Sequence, residues 1–313
     1  MSDKHSPILA GDARGVARAA ELLASGEAVA VPTETVYGLA ARADSAEAVA
    51  RIYRLKGRPD FNPLIVHVGS VEQAETYANF DERAHSLARR FWPGSLTMVL
   101  PAKAASPIAR AVTAGLPTIG LRMPAHELTL SMLTSLGLPL AAPSANRSGS
   151  ISPTRADHVM ASLAGTKVLD GGVCRAGLES TIVALRENGA WEILRPGPIE
   201  KELLQEVLGC PPQDGGPGIE APGQLSRHYA PGKPLRLSAS EAREDEFLIG
   251  FGSLAGDCSL SESGDLAEAA ARLYECLHDA AASAKPRIAV AQIPGAGMGE
   301  AINDRLRRAA EPE

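Results

Sequence analysis

The chain has 313 residues, 45% of them hydrophobic and 22% charged, with a formal net charge of −6. That length buries one large core, or one large and one small, and the composition is that of a soluble globular protein. The net acidity argues against non-specific nucleic-acid binding through bulk charge, while leaving room for an anionic small molecule in a local basic pocket. The four cysteines, Cys174, Cys210, Cys258 and Cys276, form no C-x-x-C pair, so neither a zinc site nor a redox motif is expected. The first fifteen residues, MSDKHSPILAGDARG, lack the apolar core of a signal peptide. No apolar run approaches the roughly 20 residues that span a bilayer. A cytoplasmic chain with reduced thiols and no membrane association is expected.

In chain order, residues 12–25 carry Val16, Ala19, Ala20 and Leu23 at helical spacing, ended by Gly26. A short apolar strand, 28–31, stops at Pro32 and runs into the hydroxyl-rich turn Thr33-Glu34-Thr35. A helix is expected from about Asp44 to Leu55, capped by Asp44 or Ser45 and ended by Gly57 and Pro59. Residues 63–68 then read as a buried strand. Helices at 71–78 and 81–91, a strand at 96–100, a short helix and turn at 107–117, a strand at 118–122, a helix at 127–136 and a strand at 139–142 follow. Pro143 to Ser150 is a turn-rich loop, and Ser152-Pro153-Thr154 is expected to open a helix. Residues 167–170 read as a strand, 181–185 and 191–194 as strands paired across Asn188-Gly189, and 200–208 as a helix.

Residues 209–234 are rich in Gly and Pro, with little apolar periodicity, and read as a linker or an ordered excursion rather than a core element. Beyond them, strands at 234–237, 247–251 and 287–291 and helices at 266–284 and 300–310 make a small second α/β unit. The expected organisation is a twisted sheet of parallel and antiparallel strands with helices over 1–208, a linker over 209–234, and a small Rossmann-like α/β domain over 235–313. Gly295-Ala296-Gly297-Met298-Gly299 reads as the turn that starts a helix, because its spacing departs from the dinucleotide fingerprint.

Four cations, Arg51, Arg54, Lys56 and Arg58, fall within eight residues of an otherwise acidic chain. They suit either a solvated helix C-terminus or a phosphate clamp. Other polar groups sit at expected strand ends: Thr35, His67, Arg122, Ser144, Asn146, Ser180 and Arg195. Taken singly, each has an ordinary structural explanation. Together they combine cations with hydroxyl and amide donors where α/β proteins build ligand sites, and they suit a substrate bearing phosphate and carboxylate.

Several of these residues fall in motifs. Pro32-Thr33-Glu34-Thr35-Val36-Tyr37-Gly38-Leu39, Lys56-Gly57-Arg58-Pro59, Asn62-Pro63-Leu64-Ile65-Val66-His67, Ala142-Pro143-Ser144-Ala145-Asn146, Gly177-Leu178-Glu179-Ser180-Thr181 and Leu194-Arg195-Pro196-Gly197 carry the resemblance. The chain resembles the YrdC family, and more closely its long form, the threonylcarbamoyl-AMP synthases with an added C-terminal domain. His228-Tyr229-Ala230-Pro231 resembles the linker of that form, although Gln224-Leu225-Ser226-Arg227 departs from its usual pattern.

The resemblance implies a nucleotidyltransferase that uses ATP, L-threonine and bicarbonate and passes its product to a tRNA threonylcarbamoyl transferase complex, with no firm grip on tRNA itself. It implies catalytic roles for Lys56, Arg58, Ser144 and Asn146. It places ATP on Arg58, Asn62, Thr118, Ser144, Asn146, Ser152, Arg195 and Ser226, and threonine on Thr35, His67, Arg122, Ala142 and Ser180. Mg2+ would accompany ATP, with no protein side chain assigned to it. The linker would fold over the ATP site as a lid, anchored by His228 and Tyr229. Two other readings stay open: a non-catalytic nucleotide- or RNA-binding module on the same fold, and a carbamoyltransferase domain of the kind found in hydrogenase maturation proteins.

Overall fold

A computed structural model describes residues 6–216 and 218–312. The first five residues of the N-terminal stretch, Pro217 of the Gly/Pro-rich segment and the last residue lie outside the described residues. In the first half of the chain come β1 (Ile8–Leu9), α1 (Ala13–Ala24), β2 (Val29–Val31), β3 (Gly38–Arg42), α2 (Ala46–Lys56), β4 (Ile65–His67), α3 (Val71–Glu75), α4 (Glu82–Phe91), β5 (Leu96–Pro101), β6 (Thr118–Arg122), α5 (Glu127–Leu136) and β7 (Leu140–Ala141). Then follow α6 (Ala156–Ser162), β8 (Lys167–Leu169), β9 (Thr181–Leu185), β10 (Trp191–Arg195) and α7 (Lys201–Leu208). The remainder forms β11 (Leu235–Ala239), β12 (Glu246–Gly250), β13 (Cys258–Ser259), α8 (Leu266–Ala282), β14 (Arg287–Ala291) and α9 (Met298–Ala310).

Local chemistry sets the helix ends that matter for the site. Asp12 caps α1 by accepting from the Gly15 amide, and Val16, Ala19 and Leu23 turn inward. Ser45 caps α2 through the Ala48 amide, and Gly57 ends it in the left-handed conformation. That reversal turns the chain so that Lys56 and Arg58, on either side of Gly57, are both buried, while Arg54 stays exposed and Arg51 pairs with Glu27. The run of four cations therefore divides into two inward and two outward members.

Ten strands form one sheet in the order β1-β8-β2-β3-β7-β4-β6-β5-β9-β10. It is mixed: β4–β6 and β5–β9 are parallel, while β3–β7, β5–β6 and β9–β10 are antiparallel. The last four strands form a second, all-parallel sheet, β11-β14-β12-β13, packed by α8 and α9. Its apolar side is shared with the larger sheet's loops. Val36, Ile151, Leu178 and Tyr229 join Leu273, Tyr274, Leu277, Ile302 and Leu306 in one buried cluster. Gly177 permits the close approach, since a Cβ there would sit 2.4 Å from the Ala270 carbonyl oxygen of α8.

Three local expectations are corrected. Residues 107–117 form turns and no helix; Pro107, Gly115 and Pro117 interrupt the backbone ladder a helix would need. The helix placed at Ser152 starts at Ala156, after an extended stretch in which Ser152 and Thr154 are buried. Within 209–234, Ala221 and Tyr229 are 1% exposed and pack into apolar clusters, so that part of the linker is a strap built into the core. Strand β3 lies where the sequence carries no strand pattern.

Candidate active site

Register brings the polar strand ends together. In the parallel pair β4–β6, His67 lies opposite Arg122. In β5–β9, Leu96 lies opposite Thr181, which sets Ser180 at the mouth of β9 with its hydroxyl 2.7 Å from that of Thr97. Strand β7 runs into Ala142-Pro143-Ser144, and Ser144 bridges to Gly38. The result is a cavity lined by Thr35, Arg58, His67, Arg122, Ala142, Ser144, Ser180 and Arg195, with Glu179 and the strap residues Pro222, Gly223, His228 and Tyr229.

Three buried guanidiniums face this space, and each is held by the backbone. Arg58 donates to the Asn62 side chain (2.7 Å) and to the carbonyls of Asn62 (3.1 Å) and Pro63 (2.8 Å). Arg195 donates to the Ser180 carbonyl and hydroxyl (2.9 and 3.1 Å) and to the Pro222 carbonyl (3.2 Å). Arg122 donates to the Gly94 carbonyl (3.2 Å) and to Glu34 (2.6 Å). Burial pushes Arg58 down to about 10 and lowers Arg195. Burial also drives the imidazoles of His67 and His228 down to about 3, with the Arg122 charge adding to the effect at His67. Both rings are neutral near pH 7, and each keeps a buried Nδ1 with no protein partner. A cavity walled by fixed cations, neutral imidazoles and hydroxyls favours an anion already shaped to fit it.

Lys56 is wholly inside. Its ammonium donates to the carbonyls of Ser144 and Asn146, both at 2.5 Å, and burial with the neighbouring Arg58 charge lowers its pKa well below the usual value. It ties α2 to the 143–150 loop. On that loop, the Asn146 amide donates to the carbonyls of Arg147 (2.9 Å) and Ser150 (2.7 Å) and leaves its own buried oxygen unpaired.

Two carboxylates escaped the sequence reading. Burial alone would raise Glu34, but Arg122 outweighs it and holds the carboxyl below the ordinary range; its second oxygen accepts from the Ala125 amide at 3.0 Å. At Glu179 burial likewise opposes ionisation, and the charges of Arg305 and Arg195 with the Ser152 hydroxyl bring it down to about 2. Glu179 accepts from Ser152 (2.5 Å), Tyr274 (2.8 Å) and Arg305 (3.0 Å). Glu34 stands beside Thr35 and Glu179 beside Ser180, inside the same motifs. Their partners are distant in sequence, so no local signal separated them from solvated carboxylates.

Of the residues expected to contact substrates, Lys56, Asn62, Asn146, Ser152, Thr118 and Ser226 do not line this cavity. The first three hold its walls, and Ser152 anchors Glu179. Thr118 lines an adjoining small cavity that shares Ile65 and Pro222 with the first. Ser226 is exposed on the strap. Among the described residues, no group of three or more His, Cys, Asp or Glu side chains could hold a metal ion.

Comparison with known proteins decides the lineage. The Sua5/YciO/YrdC family model, described as telomere recombination, matches residues 21–197. The chain belongs to this family. The threonylcarbamoyl-AMP synthase C-terminal domain follows at residues 199–311, so both parts of the long form match. The chain is 40% identical to threonylcarbamoyl-AMP synthase of Bacillus subtilis over 94% of this chain and 92% of that one. Against the Pyrococcus abyssi enzyme of the same name, identity is 39% over 93% of each. The crystal structure of Pyrococcus abyssi Sua5 complexed with L-threonine superposes with a TM-score of 0.89, covering 97% of both chains at 36% identity.

Proposed function

We propose that the chain is a threonylcarbamoyl-AMP synthase. ATP, L-threonine and bicarbonate give threonylcarbamoyl-AMP and pyrophosphate, for threonylcarbamoyladenosine modification of tRNA beside the anticodon. The threonine amine is carboxylated, the carbamate oxygen attacks the α-phosphorus of ATP, and the bond to the leaving pyrophosphate breaks. The observation that carries this reading is the cavity in which Arg58, Arg122 and Arg195 face the hydroxyls of Thr35, Ser144 and Ser180, in a chain similar over 93–94% of its length to synthases of this name.

In this reading Arg122 receives the threonine carboxylate, with Thr35, His67, Ala142 and Ser180 shaping the rest of that subsite. Arg58, Arg195 and Ser144 meet the nucleotide, supported by Asn62, Asn146 and Ser152. Thr118 and Ser226 join only where ATP reaches the adjoining cavity and the strap. Lys56 acts through the loop it anchors. Fixed cations stabilise charge developing on pyrophosphate without reorganising, and holding the reactants in line can supply roughly 7–11 kcal/mol of the barrier. No protein nucleophile is needed. Glu34 and Glu179 are both turned to arginines and offer Mg2+ no free ligand, so the ion would arrive held by the phosphates of ATP.

Residues 1–208 would then be the synthase domain, 209–234 a linker whose strap closes the ATP side, and 235–313 the added domain. The product would be handed to a separate transferase complex, in keeping with a chain whose net charge gives it no general affinity for tRNA. Among the described residues no helix is long and apolar enough to cross a membrane. The test is pyrophosphate release from ATP and Mg2+ with threonine and bicarbonate omitted in turn. Release that requires both is expected; release without either would replace this chemistry with another.

A further inference from the structure

Tyr229 adopts φ +63, a left-handed conformation that costs a bulky residue free energy and persists only where its surroundings over-determine it. The surroundings come from the C-terminal part of the chain. Its ring stacks on Tyr274 of α8 with centroids 5.6 Å apart, and the guanidinium of Arg305 on α9 lies 5.4 Å from the ring centre. The His228 ring lies tilted against it, with centroids 4.0 Å apart. Tyr229, His228 and Gly223 form one wall of the cavity, whereas Tyr274 and Arg305 lie behind that wall. Gly223 belongs to the same fit: at φ +90, a Cβ would press to 2.9 Å from Arg195 and 3.1 Å from the Tyr229 hydroxyl.

The two members of this cage share one anchor. Arg305 is 0% exposed and places Nε 3.0 Å from Glu179 and Nη1 2.8 Å from Asp304. The Tyr274 hydroxyl donates to the same Glu179, which itself lines the cavity beside Ser180. Asp304 also holds Arg308 at 3.1 Å. The Arg308 guanidinium donates to the Leu225 carbonyl, and the Arg308 carbonyl accepts from the His228 amide at 3.2 Å. One helix therefore grips the strap at residues 225, 228 and 229.

We propose that Arg305 is a positioning residue for the reaction: through Tyr229 and Glu179 it fixes the strap wall of the anionic cavity, so that the C-terminal unit acts on the ATP side of the chemistry. This rests on the adenylate-forming reading of the cavity. A fully buried guanidinium that touches no substrate is otherwise an expensive way to join two sheets, since an apolar contact would do as well.

The experiment uses the full chain and two variants. Arg305→Lys keeps the charge against Glu179 but loses the planar fork and the stack on Tyr229. Arg308→Met, at a side chain 22% exposed, removes a strap bond and spares the buried pair. Amide exchange of the 222–230 segment is measured beside threonine-dependent pyrophosphate release at varied ATP and varied threonine. Exchange at the His228 and Ala230 amides should quicken about tenfold while β4 and β6 are unchanged. The ATP needed for half-maximal rate should rise about tenfold with the threonine requirement within about twofold. A loss of thermal stability with unchanged ATP dependence would make Arg305 merely structural and overturn the proposal. So would unchanged exchange across the strap in folded Arg305→Lys protein. If Arg305→Lys does not fold, Arg308→Met decides by the same two readouts. If the unaltered protein releases no pyrophosphate with threonine, the adenylate reading fails, and the exchange data still decide whether Arg305 holds the strap.

Discussion

Glu34 and Arg122 show how much one side chain's usefulness depends on another. An arginine free to rotate loses side-chain entropy when it meets a carboxylate, and one already fixed does not. Glu34 and the Gly94 carbonyl hold Arg122 at the end of β6, beside His67. Replacing Glu34 by Ala removes an acceptor worth about 1.5–3 kcal/mol to a charged donor. We expect the threonine concentration for half-maximal pyrophosphate release to rise about tenfold with little change in limiting rate. An unaltered threonine dependence would mean that Arg122 is held without Glu34 or does not meet the carboxylate. For Lys56→Ala the expectation differs, because two backbone carbonyls lose their donor and the 143–150 loop loosens. Turnover should fall at least about tenfold, equivalent to about 1.4 kcal/mol of barrier, and a folded variant with unaltered turnover would remove Lys56 from the machinery.

At the scale of elements, the 171–180 loop meets α8 in a close backbone contact at Gly177. Gly177 has φ +67, and a Cβ there would overlap the Ala270 carbonyl and the Ala271 backbone at 2.4–2.6 Å. Gly189, in the β9–β10 turn, has φ +89 and nothing within 4 Å. Both substitutions to Ala carry the left-handed penalty, about 1–2 kcal/mol. Only Gly177→Ala must also push α8 off the loop, adding about 1–3 kcal/mol for overpacking. Denaturant unfolding of the two variants should therefore separate by at least about 1 kcal/mol. Equal losses would show that α8 yields freely and that the joint is soft.

For the whole molecule, buried imidazoles dominate the acid response. In the folded chain His67 and His228 are pushed to about 3 and His158 to about 4, in each case first by burial. In the unfolded chain they titrate near 6.5 (about that value for a free histidine). As pH falls through 6.5 the unfolded state takes up protons that the folded state refuses, so stability declines with falling pH. Each such histidine contributes a slope approaching about 1.4 kcal/mol per pH unit. Glu179, held at about 2, adds a loss of the same sign below its unfolded value of about 4.3. Unfolding free energy measured from pH 7 to pH 5 should fall steeply, and His67→Gln should flatten the slope by about 1 kcal/mol per pH unit. A flat profile from pH 7 to 5 would mean that the rings protonate in the folded state.

Much of this was legible in the sequence where the determinants are local. The cap at Ser45, the stop at Gly57 and the β9–β10 hairpin follow from residues a few positions apart, and the polar strand ends marked eight side chains that do line the cavity. Strand β3 was not legible: Gly38-Leu39-Ala40-Ala41-Arg42 is small and has no alternation, because four of its five residues are buried. Tyr274 was indistinguishable from any aromatic on the buried stripe of α8. The sequence by itself determined most of the element types, the family and the chemical character of the site, since propensity, capping and motif spacing act over short distances. Only the tertiary structure decided which charges meet. The pairing of Glu34 with Arg122, of Glu179 with Arg305, and of Lys56 with two carbonyls depends on burial and approach between segments far apart in the chain. There, desolvation makes every unpaired charge costly and so selects one partner.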